Sequence, residues 1–106
     1  MKDPVHLCPK FESAFEILGK RWNGLIIRIL ATRPLRFGEL EHAIPDLSAR
    51  MLAARLKELE DANLILRNVY PQVPVLIEYE LSEKGHELEK ALEPIQSWAD
   101  KWSVLP

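Results

Sequence analysis

The order of segments between Arg36 and Gly85 constrains this chain more than any other feature: an amphipathic stretch, a proline stop, a second amphipathic stretch, and two apolar runs around a proline-rich tip. In Arg36-Phe-Gly-Glu-Leu-Glu-His-Ala-Ile44 the apolar residues Phe37, Leu40 and Ile44 recur at helical spacing, so one face can pack inward. Pro45 and Asp46 end that stretch, because proline lacks the backbone donor a continuing helix needs. Ser48 then precedes Ala-Arg-Met-Leu-Ala-Ala-Arg-Leu-Lys-Glu-Leu-Glu60. Its hydroxyl can accept from a free amide of the next helix's first turn, and Leu47 before it can staple onto Leu52. Successive helical residues turn by about 100°. Leu52, Leu56, Leu59 and Asn63 therefore fall on one side, with Arg50, Ala53, Ala54 and Lys57 on the other.

Beyond this basic helix, Leu64–Tyr70 and Val75–Leu81 flank Pro71-Gln-Val-Pro74. Ile77, Tyr79 and Leu81 alternate with Glu78 and Glu80, the period of a strand with one buried and one wet face. Asn63 is placed to close the preceding helix in the left-handed conformation. The expected fold is mainly α with a small β-wing: a winged helix-turn-helix with N- and C-terminal dimerisation helices, at about residues 5–20 and 83–105, in a single domain over 1–106. The dimer expectation rests on Leu88, Leu92, Ile95, Trp98 and Trp102, which recur at helical spacing beyond what a compact unit needs, and an apolar stripe with two tryptophans calls for a partner. Phe11 and Phe15 on the N-terminal helix are the natural residues to pack across that contact, and Pro94 is expected to kink the C-terminal helix.

A basic helix face with small residues between its charges can settle into a major groove of DNA. Arg50 is long enough to reach a guanine edge, Ser48, Ala49 and Ala53 lie nearest the bases, and Arg36 and Lys57 suit phosphate contact. Arg55 lies closer to the buried face and reads as structural. The formal charge of −2 opposes DNA binding only as a total. Residues 1–57 hold ten Lys or Arg against six Asp or Glu, and residues 58–106 hold four against ten, so the halves carry +4 and −6. A dimer would set two reading helices on half-sites of an inverted repeat about 10 base pairs apart, or a multiple of that.

Other classes fit less well. No histidine among His6, His42 and His86 lies in a recognisable catalytic motif, and no glycine-rich phosphate loop exists, so an enzyme is not expected. His6-Leu-Cys8 could offer two ligands to a metal, but without a second cluster neither a metal nor another cofactor is expected. A winged-helix module used for protein contact is the remaining rival, and the Arg, Ala and Lys of the outward face favour DNA over it. No run reaches the roughly 20 apolar residues that span a bilayer. With one cysteine and no signal-peptide pattern, the chain reads as cytoplasmic, without membrane association.

Several further residues carry a resemblance over nearly the whole chain: Cys8-Pro9, Gly19-Lys-Arg-Trp22, Arg36-Phe37, Ile44-Pro45, Ser48 with Met51-Leu52, Leu56-Lys-Glu-Leu-Glu60, Tyr70-Pro71, Val73-Pro74, Glu78-Tyr79 and Glu83-Lys-Gly85. In these motifs the chain resembles the HxlR-type winged-helix transcriptional regulators, nearest to the subgroup that represses detoxification genes and senses quinones or diamide through a cysteine near the N-terminus. The resemblance implies that Cys8 is the sensing residue and that its modification releases DNA. Pro9 after it favours the first position of a helix, which sets the sulfur near the positive end of the helix dipole, with Lys10 close by. In such a place a cysteine can act as a soft nucleophile toward a quinone or another electrophile, or join a disulfide with another molecule. Two positions depart from the family pattern: Leu76, where many relatives carry Arg or Lys after the tip, and Ala31-Thr-Arg33, where relatives commonly end the second helix with glycine. The first takes from the wing a cation suited to minor-groove or phosphate contact and leaves open whether the wing touches DNA. The second reads as a local change of capping.

Overall fold

The structure, a computed structural model, describes residues 4–103 and 105. In chain order its elements are α1 (Pro9–Leu18), α2 (Asn23–Leu30), α3 (Phe37–Ala43), α4 (Ala49–Asp61), β1 (Ile65–Tyr70), β2 (Leu76–Leu81) and α5 (Glu83–Trp102). The two strands pair antiparallel with Ile65 opposite Leu81 and Tyr70 opposite Leu76. Five helices and this ribbon make the winged helix-turn-helix that the sequence order implied.

One core holds the elements in place. Ile26, Ile27 and Leu30 of α2, Leu40 of α3, and Leu52, Leu56 and Leu59 of α4 meet Leu35, Ile44, Leu47, Leu64, Ile65, Leu81 and Leu92 in a single buried cluster. The helical spacing of the α4 leucines accounts for its burial: these three are essentially inaccessible while Arg50, Ala53, Ala54 and Lys57 stay exposed. Leu47 and Leu52 are both buried at the entry to α4. Asn63 has a φ of 62°, the left-handed closing residue expected after that helix. At the end of α2 no glycine is needed, because the backbone stays right-handed at Ala31 and the Thr32 hydroxyl donates to the Ile29 carbonyl at 3.0 Å.

The structure differs from the sequence reading in three places. Leu35, just before α3, bridges to Tyr79 of β2 through reciprocal backbone hydrogen bonds of 2.9 and 2.8 Å, so the ribbon is anchored on its far edge by a residue the alternation did not single out. The expected alternation along β2 is also blurred, since residues 76–80 are all half-buried and only Leu81 is buried. A twisted two-stranded ribbon that leaves the core offers no fully dry face. Last, Leu92 is buried in the core of its own subunit and the half-buried Leu88 packs against that core, so Ile95, Trp98 and Trp102 are the exposed members of the stripe on α5. The α5 helix continues through Pro94 to Trp102.

The start of α5 explains the Glu83-Lys84-Gly85 motif. Ser82 accepts from the Gly85 amide at 3.0 Å and donates to the Asn63 carbonyl at 2.6 Å, while the Ser82 amide donates to the Leu64 carbonyl and the Lys84 ammonium to that of Ala62. The last three of these contacts bind the α4–β1 connection to the start of α5, and the first caps the helix itself.

Candidate DNA interface and thiol site

The turn between α3 and α4 is short and defined by its caps. Ser48 sits in an extended conformation and its hydroxyl oxygen accepts from the Met51 amide at 3.1 Å, which satisfies one of the orphan donors of α4. Its hydroxyl proton remains available to a phosphate or base. Behind it Ala49, Arg50 and Ala53 form the exposed start of the outward face. Arg50 makes no ion pair or side-chain hydrogen bond among the described residues. Lys57, further along, pairs with Asp61 at 3.1 Å, both side chains being well exposed. A phosphate would compete for that lysine in a high-dielectric setting where the pair is worth little.

Arg36 occupies the cap position of α3, where the Glu39 carboxylate accepts from its backbone amide at 2.9 Å. Only this half of a capping box can form, because a guanidinium has no acceptor. The bond from the Arg36 amide, then the one from Arg33 at 2.9 Å, hold the Glu39 carboxyl below its ordinary value of 4.5. The Arg36 side chain stands 3.8 Å from the same carboxylate and is otherwise exposed.

Acids that sequence reasoning passed over partner five of the basic residues in and beside the reading motif. Glu39 takes Arg33 and Arg36, Glu58 takes Lys20 and Arg55, and Asp61 takes Lys57. The i,i+3 and i,i+4 spacings of Arg36 to Glu39, Arg55 to Glu58 and Lys57 to Asp61 were visible in the sequence. The Lys20 contact, 38 residues apart in the chain, was not. Arg55 does sit on the flank of α4 as expected, donating to the Arg21 carbonyl at 3.2 Å and to Glu58 at 2.9 Å. At the wing, Tyr70, Val73 and Val75 are exposed while Leu76 is half-buried, so the tip presents apolar surface and no cation.

Cys8 caps α1 from an extended backbone conformation, with Pro9 in the first turn and its own carbonyl accepting from the Glu12 amide at 3.0 Å. Its side chain makes no capping bond and is exposed. The same helix exposes Phe11 and Phe15, whose rings stand 5.0 Å apart at a tilt of 48°. On α5, Ile95, Trp98 and Trp102 remain exposed, the tryptophans by 65% and 62%. Among the described residues no three His, Cys, Asp or Glu side chains gather as a metal cluster, and no helix is long and apolar enough to cross a membrane.

Comparison with known proteins agrees with this layout. Residues 17–105 match the model of the HxlR-like helix-turn-helix family. The transcriptional regulator YodB of Bacillus subtilis is 51% identical over 96 residues, covering 91% of this chain and 86% of its own length. The reduced form of YodB superposes with a TM-score of 0.83 at 49% identity, covering 93% of this chain and 97% of YodB. Its quinone-bound form does so at 0.79 and 49%, covering 91% and 100%, and its diamide-treated form at 0.79 and 50%, covering 92% and 97%. The redox regulator HypR in its oxidised form reaches 0.85 at 32% identity, covering 92% of this chain and all of HypR. These relatives are regulators of transcription and not enzymes. The chain belongs to the HxlR-like helix-turn-helix family and is a transcriptional regulator.

Proposed function

We propose that this protein is a sequence-specific repressor of detoxification or redox genes in the cytoplasm, released from its operator when Cys8 is alkylated or oxidised. The observation that carries the reading is an exposed cysteine at the cap of α1, on the helix that also exposes Phe11 and Phe15, in a chain half identical to a regulator whose structure has a quinone-bound form. Arg50 reads bases from the start of α4, with Ser48, Ala49 and Ala53 close to the groove floor and Arg36 and Lys57 on phosphates. Two copies join through Phe11 and Phe15 of α1 with Ile95, Trp98 and Trp102 of α5 and so present two α4 helices to an inverted repeat. An elongated subunit supports this: the radius of gyration is 16.4 Å, against about 13 Å for a compact chain of this length.

The chemistry at Cys8 needs no cofactor. Its thiolate adds to a quinone ring carbon, forming a C–S bond, and the ring takes up a proton to become a hydroquinone thioether. With diamide, two thiols lose two electrons and two protons to the diazene, which becomes a hydrazine. One cysteine per chain makes such a disulfide intersubunit or mixed with a small thiol. Either product alters the packing of α1 at the subunit contact and favours a spacing of the α4 helices that does not fit the operator. A difference of about 1.4 kcal/mol between the two arrangements changes occupancy tenfold. The test is operator affinity at fixed salt before and after quinone or diamide, for the parent and Cys8→Ser. Release of the parent alone is expected; identical dose responses would sink the thiol switch and leave a regulator with another signal.

A further inference from the structure

The Gly19-Lys20-Arg21-Trp22 motif takes no part in the reading above, yet it holds one of the two non-glycine residues with positive φ among the described residues. Trp22 has a φ of 84°, a left-handed conformation that costs a bulky side chain energy and persists only where its surroundings impose it. Those surroundings are specific. Asn23, 1% exposed, donates from Nδ2 to the Ile17 carbonyl at 2.9 Å and so folds the turn back on α1. The Arg21 guanidinium lies 4.3 Å from the centre of the Trp22 ring, and that ring packs against the core. From the other side α4 reaches the turn: Arg55 Nε donates to the Arg21 carbonyl, Arg55 Nη1 to Glu58, and Lys20 Nζ to the same Glu58 oxygen at 3.1 Å.

We infer that Arg55 is a positioning residue for DNA reading, one that fixes the axial place and rotation of α4 from the Gly19–Trp22 turn without touching DNA. This rests on the DNA-reading role proposed for α4. Leu52, Leu56 and Leu59 hold the helix to the core, but apolar contact is non-directional and tolerates small slides and rotations. Base readout does not: a working geometry must be held within about 0.5 Å, a third of the rise of one helical residue. The two polar contacts on the flank of α4 supply that restraint. Arg55 has a side chain only 17% exposed, and it bridges chain segments 34 residues apart, which a solvated helix charge does not do. Because the turn continues directly from α1, the helix carrying Cys8 and the one facing DNA are joined through a single tight connection.

The test uses the full chain, with Arg55→Met to keep the aliphatic stem, Arg55→Lys to restore one contact, and Glu58→Gln as a milder variant should the first not fold. Binding is measured across salt concentrations to a duplex the parent selects from a random pool and to an unrelated duplex, alongside amide hydrogen exchange of residues 19–23. Arg55→Met is expected to lose about tenfold on the selected duplex with little change on the other. Its salt slope should match the parent's, exchange in the turn should quicken, and Arg55→Lys should fall between. Equal loss on both duplexes with a shallower salt slope would make Arg55 a phosphate contact and overturn the inference. So would discrimination within about twofold of the parent's in all variants, a difference below the worth of a charged hydrogen bond. A parent that discriminates no sequence refutes the DNA-reading role instead; unchanged exchange in the turn would then overturn the restraint separately.

Discussion

A β-carbon at position 85 would collide with the Leu64 carbonyl oxygen and crowd the Leu81 side chain at 3.2 Å. Both neighbours are core residues, and the carbonyl is already used by the Ser82 amide, so nothing nearby can yield cheaply. Gly85→Ala is therefore expected to lower unfolding free energy by about 1–3 kcal/mol, read from the denaturant midpoint at constant slope. The sequence marked this glycine only as part of a motif; its close approach to another segment becomes visible in the fold. Asn63 was legible because asparagine tolerates the left-handed region better than most residues, whereas Trp22 was not, since no propensity points a tryptophan there. Arg50 and Arg55 could be told apart beforehand from their angles on α4 alone, and Arg50 is exposed while Arg55 is largely covered.

At the scale of elements, caps decide where the helices of the reading motif begin. The Glu39 carboxylate serves the first turn of α3 in its charged form, and its ionisation is favoured chiefly by the Arg36 amide and then by Arg33. A carboxyl whose folded value is depressed contributes stability above its ordinary value, and that contribution is lost as pH falls through the folded one. The first turn of α3 is thus expected to fray as pH drops below 4.5, with lower amide protection factors, relative to the intrinsic exchange rate at each pH, at residues 37–40. Glu39→Gln should remove this acid-side change and show the same protection factors on both sides of that pH. Helix periods made α3 and α4 readable within a residue, and α5 at its start, though α5 ends at Trp102 against an expected 105. They could not say whether Leu88 and Leu92 face their own core or a second subunit, because both partners demand the same apolar spacing.

For the whole molecule, the separation of charge along the chain and the exposed aromatic surface of α5 point to two jobs. The basic half is less free than a count suggests, with Lys20, Arg33, Arg36, Arg55 and Lys57 each beside an acid. Arg50 stands apart from these pairs. On α5, Ile95, Trp98 and Trp102 lie beyond its last core contact. The double substitution Trp98→Ser with Trp102→Ser is expected to shift sedimentation from dimer to monomer while leaving the core, and hence helical circular dichroism, in place. Persistence of the dimer would move the contact to another face.

If the outward face of α4 reads DNA sequence, Arg50 is the side chain on which that reading depends. Affinity for the selected duplex and for an unrelated one should be measured at several salt concentrations with the parent, Arg50→Ala and Lys57→Ala. Arg50→Ala is expected to lose about 1–3 kcal/mol of discrimination, while Lys57→Ala weakens binding to both duplexes alike and flattens the salt slope. Discrimination left intact by Arg50→Ala would contradict the DNA-reading role of α4.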